Sequence, residues 1–309
     1  MGSIMQTTEQ GTQLLARWVE RVQAQAWPKH TLYVVATPIG NLGDFSLRGW
    51  QCLSICDVIA AEDTRSTRPL LEAWGVQTPL IAAHRHNEAQ AAEQIVARLE
   101  QGERVALVSD AGAPAVSDPG GRIVRAVRAA GYQVIAIPGA SAVIAALMAS
   151  GVTSDENPAF LFAGFMPSKS MARKKWLQDW SQTDAPVVMF ESPHRIKAAV
   201  QDMAELFPQR QITFARELTK RFEQVHTCDL SEANEWLEAD SHHQQGEFVL
   251  ILHAMPQVSS SDTSLDAATE KWLRALVQQV SARDAVKVAV KATGLPRDLI
   301  YDWVLANKD

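Results

Sequence analysis

Between residues 32 and 137 the chain alternates short β-branched runs with amphipathic stretches, and this alternation restricts the possible folds more than any other feature of the sequence. Residues 32–36, 58–61, 105–109 and 134–137 read as buried strands. Residues 88–101 and 122–130 carry helical periodicity and stop at Gly102 and Gly131, where a helix C-terminus takes a left-handed residue. Strands separated by helices pair mostly in parallel, so the expected class is α/β.

A further helix, residues 142–150, ends at Gly151, and the polar, proline-ended Val152-Thr-Ser-Asp-Glu-Asn-Pro158 reads as an inter-domain linker. Beyond it, strand candidates at 160–163, 187–190, 212–215, 224–228 and 248–253 mix with helical stretches at 172–180, 196–207 and 232–239, a second α/β unit in which hairpin pairing is expected. Residues 256–263 turn to Ser, Asp and Thr, as a tether does. After them, residues 284–292, the turn Thr293-Gly294 and residues 296–307 resemble a helix-turn-helix, with a plain three-helix packing unit as the alternative. The expected organisation is therefore an extension at 1–30, α/β domains at 31–151 and 159–254, and a helical module at 264–309. Within the extension Leu14, Leu15, Trp18, Val19 and Val22 are spaced as a short amphipathic helix.

Composition narrows the function classes. The 309 residues are 47% hydrophobic, more than one core usually holds. No apolar run approaches the roughly 20 residues that cross a bilayer, and the first thirty residues lack the apolar centre of a signal peptide, so a cytoplasmic location is expected. Cys52, Cys56 and Cys228 are too few for a disulfide framework or a four-cysteine zinc site. A formal charge of −6 argues against indiscriminate nucleic-acid binding. Local basic clusters remain at Lys169, Arg173, Lys174 and Lys175 and at Arg216, Lys220 and Arg221, where charge alone favours a solvated helix face.

The unusual residues lie in loops that follow the first-half strands, the side of an open parallel sheet where ligands bind. Thr37-Pro-Ile-Gly-Asn-Leu-Gly-Asp44 is a rigid turn whose glycines let a ligand approach backbone. Glu62-Asp63-Thr64-Arg65 puts an acidic pair beside an arginine at a strand end, with helix capping by Asp63 or Thr64 as the alternative. His84-Arg-His-Asn-Glu88 is dense in ionisable groups, which fits proton transfer better than a metal, since no second ligand cluster follows. Asp110-Ala-Gly-Ala-Pro-Ala-Val-Ser-Asp-Pro-Gly-Gly121 is the strongest segment, with small residues that suit a ligand pressed against backbone. Pro138-Gly-Ala-Ser-Ala142 repeats the theme, and Ser141 is also a good N-cap.

Taken together, Ala36-Thr-Pro-Ile-Gly-Asn-Leu-Gly-Asp44, Ala61-Glu-Asp-Thr-Arg65, Ser109-Asp-Ala-Gly-Ala-Pro, Ser117-Asp-Pro-Gly120 and Pro138-Gly-Ala-Ser-Ala142 resemble the RsmI family of ribosomal RNA ribose 2′-O-methyltransferases. The resemblance continues through Gly164-Phe-Met-Pro-Ser-Lys169, Phe190-Glu-Ser-Pro-His-Arg195, Ala215-Arg-Glu-Leu-Thr-Lys220 and Gly246-Glu247. Ala113, Ala140 and Arg85 are mild departures from the family pattern. The resemblance implies a tetrapyrrole-methylase-like (class III methyltransferase) fold of two α/β domains with S-adenosylmethionine in the cleft between them, and a homodimer. It implies a substrate in small-subunit (16S) ribosomal RNA, a cytidine near the decoding site, presented by the 30S particle. Cofactor contacts would fall on Asp110, Ala111, Gly112, Pro114, Ser141, Ala142, Phe165, Leu218 and Gly246, with Pro38 and Gly40 in a loop facing the transfer site.

Methyl transfer to a hydroxyl needs the two partners held at contact distance and a base for the proton. The candidates are Glu62, Asp63, His86 and Glu88, with Arg65 orienting a carboxylate or phosphate. Two other readings stand beside this one: a tetrapyrrole-precursor C-methyltransferase of the same fold, and a non-catalytic RNA-binding assembly factor using the helical tail.

Overall fold

The structure, a computed structural model, describes residues 2–181, 183–255, 265 and 267–307. The expected tether at 256–263 lies outside the described residues. The first half runs α1 (Gly2–Gln23), β1 (Thr31–Val35), α2 (Leu47–Ile55), β2 (Val58–Ala61), α3 (Thr64–Ala73), β3 (Leu80–Ala82), α4 (Glu88–Glu100), β4 (Arg104–Val108), α5 (Gly121–Ala129), β5 (Gln133–Ile137) and α6 (Ala142–Ser150). The second has β6 (Leu161–Phe165), α7 (Ser170–Gln178), β7 (Val187–Glu191), α8 (Ile196–Leu206), β8 (Gln211–Arg216), β9 (Gln224–Asp229), α9 (Ala233–Ala239) and β10 (Phe248–Leu252). Helices α10 (Ala267–Val277), α11 (Ala282–Thr293) and α12 (Arg297–Asn307) follow. Two compact units result, Met1–Met255 and Pro256–Asp309.

The first sheet has the order β3-β2-β4-β1-β5 and is parallel throughout. Its central strands show no period of two because both faces are covered. Tyr33, Val35, Ile59, Ala61, Ala106 and Val108 pack under α2 and α3 with Cys52, Leu53 and Leu71, whereas Leu32, Val58, Ala60, Val105 and Leu107 pack under α4 and α5 with Ile95, Leu99, Ile123 and Val127. At about 1.5–3 kcal/mol for each large aliphatic side chain buried, such two-faced strands dominate the stability of this half. Strand β3 was not legible in sequence: three residues at a half-exposed sheet edge carry no period. In α1 the expected apolar stripe is only anchored at its end, where Val22 is buried while Leu14, Leu15 and Trp18 remain exposed.

The second sheet has the order β6-β7-β10-β8-β9. The expected hairpin pairing holds for β8 with β9, and β10 runs antiparallel to both β7 and β8, but β6 joins β7 in parallel. Val187, Met189, Ile212, Phe214, Leu250 and Leu252 face α7, α8 and α9, forming one core. The opposite face, with Val188, Ala215, Val249 and Ile251, is covered by α6 of the first half through Val143, Ala146 and Leu147, together with Ile39. Helix α6 therefore locks the two sheets together. It ends at Gly151, which takes φ +65°, as a left-handed C-terminal residue should.

In the second unit α10, α11 and α12 enclose Leu265, Leu273, Val277, Ala285, Val286, Ala289, Ile300 and Val304. Ser281 caps α11 by accepting from Asp284 N (3.1 Å), and Gly294 at φ +70° turns the chain towards α12.

Candidate active site

The loops after β1, β2, β4 and β5 meet at the carboxyl ends of the first sheet, where β1 separates β4 from β5 and the strand order reverses. Backbone pairing fixes two of these loops to each other: Thr37 N donates to Gly112 O (2.9 Å) and Gly112 N donates to Thr37 O (3.1 Å). Gly112 holds φ +76°, and a Cβ there would meet Ile39 Cγ2 at 3.3 Å, so the close approach requires glycine. Asp110 ties in the β2 loop, its Oδ1 accepting from Asp63 N (3.1 Å) and Ser66 Oγ (2.5 Å).

Above these loops lies a cleft of about 410 Å³, bounded on the other side by the second sheet. Its apolar wall is built from Ile39, Val143, Phe165, Phe190, Leu218 and Val249. Three carboxylates, Glu62, Asp110 and Asp118, line the first-sheet side. Burial raises the pKa of Glu62 above the ordinary carboxylate range, and the charges of Asp118 and Asp110 push the same way. Asp118 is raised too, first by burial and then by Asp110, against a hydrogen bond from Ser109 that lowers it. A cleft with excess negative charge and an apolar wall favours a ligand that is apolar at one end and cationic at the other.

Of the residues singled out from sequence, Glu62, Asp110, Ala111, Gly112, Ser141, Ala142, Phe165 and Leu218 line this cleft. Ser141 begins α6, but its hydroxyl makes no capping bond, contrary to the expectation of an N-cap side chain. Asp63 instead caps α3, accepting from Arg65 N (2.8 Å), and pairs with the Arg65 guanidinium at 2.6 Å, which holds its carboxyl at about 2. His86 is exposed beside His84, their rings 6.1 Å apart. Glu88 is buried and serves as the acceptor at the start of α5, receiving Gly120 N and Arg122 N, each at 2.9 Å. None of Asp63, Arg65, His86 and Glu88 is part of the cleft wall.

Pro38, Gly40, Pro114 and Gly246 are outside the wall as well. Two of them have a packing reason to be what they are: a Cβ on Gly40 would sit 2.6 Å from Lys220 Cγ, and one on Gly246, at φ +91°, would sit 2.6 Å from Glu217 Cδ. The Glu217 carboxylate in turn accepts from Lys220 Nζ (3.0 Å) and Glu247 N (3.0 Å), and Glu247 lines the cleft. The suspected basic clusters are partly consumed inside the fold. Arg173 is buried against Asp202, Lys174 pairs with Glu205, and Arg216 is buried with Gln224 and the Gln245 carbonyl as partners.

Sequence reasoning missed Ile39, Asp118, Phe190, Glu191, Glu247 and Val249 as cleft residues. Ile39, Asp118, Phe190, Glu191 and Glu247 were each inside a quoted motif, so the signal existed; what was lacking was the cleft they share.

The fold and its cleft define a methylase of the tetrapyrrole type: a family model described as Tetrapyrrole (Corrin/Porphyrin) Methylases matches residues 31–234, and one described as RsmI C-terminal HTH domain matches 263–308. A ribosomal RNA small subunit methyltransferase I of Neisseria meningitidis serogroup B is 45% identical over 279 residues, 90% of this chain and 94% of that protein. The chain belongs to the ribosomal RNA small subunit methyltransferase I family. The fold is shared with a diphthine synthase, at TM-score 0.57 and 18% identity over 72% of this chain and 89% of that one. It is shared as well with a uroporphyrin-III C-methyltransferase from Thermus thermophilus complexed with S-adenyl homocysteine, at TM-score 0.50 and 17% identity over 72% and 96% of the two chains.

Proposed function

We propose that this chain transfers a methyl group from S-adenosylmethionine to a ribose 2′-hydroxyl in small-subunit ribosomal RNA, at a cytidine near the decoding site. The observation that carries the reading is the cleft: about 410 Å³, with an apolar wall of Ile39, Val143, Phe165, Phe190, Leu218 and Val249, the carboxylates Glu62, Asp110 and Asp118 grouped on the first-sheet side, and the small residues Ala111, Gly112 and Ala113. That donor set fits a sulfonium cofactor, because an apolar wall suits its nucleoside and the carboxylates suit its positive charges. Once bound, S-adenosylmethionine supplies an electrophilic methyl group. The 45% identity to a ribosomal RNA small subunit methyltransferase I, over nearly all of that protein, supports RNA as the acceptor.

In this reading Asp110 and Asp118 hold the cationic end, while Ile39, Phe165 and Leu218 exclude water from the transfer site. Glu62 is the proposed base. Its raised pKa lets the carboxylate take a hydroxyl proton more readily than an ordinary glutamate does, and it alone of the four base candidates lines the cleft. Asp63 and Glu88 act structurally, as caps of α3 and α5.

Recognition is proposed to occur on the assembled 30S particle in the cytoplasm. A protein of net charge −6 cannot rely on general phosphate attraction and must read a preformed RNA shape. Homodimerisation is proposed through the apolar surface of Ile144, Met148, Phe160 and Leu161, exposed by 48%, 81%, 38% and 38%. Labelled S-adenosylmethionine with unmethylated small subunits should label one nucleotide, with the adjoining linkage resistant to alkali, because alkaline cleavage uses the 2′-hydroxyl. Label in an alkali-sensitive nucleotide, or in a tetrapyrrole precursor with subunits unlabelled, would overturn the assignment.

A further inference from the structure

Strands β2 and β3 run side by side in parallel with Ala61 opposite Ala82, and Ala83 N donates to Ala61 O at 2.7 Å. The loops that follow them therefore leave the sheet at the same end, the one that carries the cleft: Glu62 after β2, and His84-Arg-His-Asn-Glu88 after β3. This second loop is pinned on its far side. Asn87 N donates to His84 O (3.0 Å), Asn87 Nδ2 donates to Ala82 O (3.0 Å), and Glu88 is buried as the acceptor at the start of α5. His84, Arg85 and His86 are left exposed on it. Arg85 has neither an ion pair nor a side-chain hydrogen bond among the described residues, but its charge reaches Glu62 and draws that carboxyl's pKa down against the larger effect of burial. A guanidinium on a pinned loop beside the cleft, with all five donors open, is placed to meet a ligand from outside the chain.

We infer that Arg85 is a positioning residue that grips a backbone phosphate of the RNA strand at the mouth of the cleft. The inference rests on the proposed transfer to a ribose 2′-hydroxyl with Glu62 as the base. That hydroxyl is borne by the carbon next to the one that carries the 3′-phosphate, so a ribose that reaches Glu62 brings a phosphate to the same mouth. Glu62, Asp110 and Asp118 line the cleft there and repel it. A cation on the solvent side and within electrostatic range of Glu62 offsets this repulsion, and Arg85 meets both conditions. Its planar fork also matches two phosphate oxygens at once. Two other cations nearby are already engaged within the chain. Arg65 donates from Nε and Nη2 to Asp63 at 3.0 and 2.6 Å, and Lys220 donates to Glu217 and Glu247 at 3.0 and 2.9 Å. With a net charge of −6 the protein has no general attraction for RNA, so one well-placed phosphate contact sets where the strand enters.

The test is binding of the full chain to unmethylated small ribosomal subunits at several salt concentrations, for the parent, Arg85→Gln, Arg85→Lys and Arg128→Gln. Arg128 is exposed in the last turn of α5, at the opposite end of the first sheet, so its variant changes net charge equally without touching the mouth. Arg85→Gln should bind about fivefold more weakly, as befits one exposed charge contact. The slope of log affinity against log salt should flatten by about 0.7, the value for one phosphate contact to a single strand. Arg85→Lys, which keeps the charge but not the fork, should keep the slope and recover part of the affinity. Arg128→Gln should bind as the parent does. Parental affinity and slope in Arg85→Gln would overturn the inference, and so would an equal loss in Arg128→Gln, which would reduce the effect to net charge. A displaced pH profile of methyl transfer with affinity and slope unchanged would confine Arg85 to tuning Glu62 and overturn the phosphate contact as well. The cofactor reading fails separately: a parent that binds subunits but not S-adenosylhomocysteine in calorimetry would remove it, while the salt slope of Arg85→Gln still decides the phosphate contact.

Discussion

Replacing Glu88 separates a structural carboxylate from a catalytic one. Its Oε1 receives two backbone N–H groups at 2.9 Å, from Gly120 and Arg122, in a site where the residue is 8% exposed. Glu88→Ala deletes both bonds and leaves two donors at the start of α5 without an acceptor. At about 1.5 kcal/mol for each bond to a charged partner, the low end of the usual range, the loss is about 3 kcal/mol. The Arg122 guanidinium adds nothing measurable, since it lies 3.9 Å away with its side chain 71% exposed. For a unit the size of Met1–Met255 that loss lowers the melting temperature by roughly 6–12 °C. Glu88→Gln, which keeps an oxygen but not the charge, should lose about half as much. Thermal and urea unfolding measure the stability, and the methylation rate of the folded fraction measures the chemistry. A Glu88→Gln protein that melts with the parent yet transfers methyl a hundredfold more slowly would refute the reasoning and return Glu88 to the list of bases.

Two more outcomes follow from the cleft and its supports. Because burial and neighbouring carboxylates raise the pKa of Glu62 and of Asp118, the folded apo protein holds these protons more tightly than the unfolded chain does. Their contribution to stability is then complete below the ordinary carboxylate pKa and is lost as pH rises through the raised values, while attraction for a cation grows over that same window. The affinity for S-adenosylmethionine relative to its uncharged-sulfur product should therefore increase with pH there, and a flat ratio in calorimetry would count against the anionic pole. Gly246→Ala places a Cβ at φ +91° against Glu217, which cannot swing away without leaving Lys220 and Glu247 N. It should lose about 2 kcal/mol in urea unfolding and several-fold in cofactor affinity through Glu247, and a parent-like protein would show that Glu217 is free to move.

Reading the chain as α/β succeeded where the signal was local. Runs such as residues 105–109 are apolar for their whole length because both faces of β4 are covered, and Gly102, Gly131 and Gly151 mark helix ends through their own conformational freedom, all three with positive φ. The small-residue segment from Asp110 and the turn before α6 both line the cleft, and small side chains are what a loop needs to leave such a space open. What failed depended on partners far away in sequence. Glu88 looked catalytic because nothing near it suggested Gly120 as a partner. Gly40 and Gly246 looked like ligand glycines, yet the close approach they permit is to the side chains of Lys220 and Glu217.

The sequence by itself thus determined the parallel first sheet, the helix ends and the small-residue loops that line the cleft, because periodicity, glycine conformation and side-chain size act over a few residues. Tertiary structure alone decided that α6 would cover the second sheet, that Glu62, Asp110 and Asp118 would share one side of a cleft, and that Glu191 would be enclosed with one oxygen lacking a partner among the described residues. Those arrangements come from burial and charge acting between segments tens of residues apart, and burial is a property of the packed chain that no single segment carries.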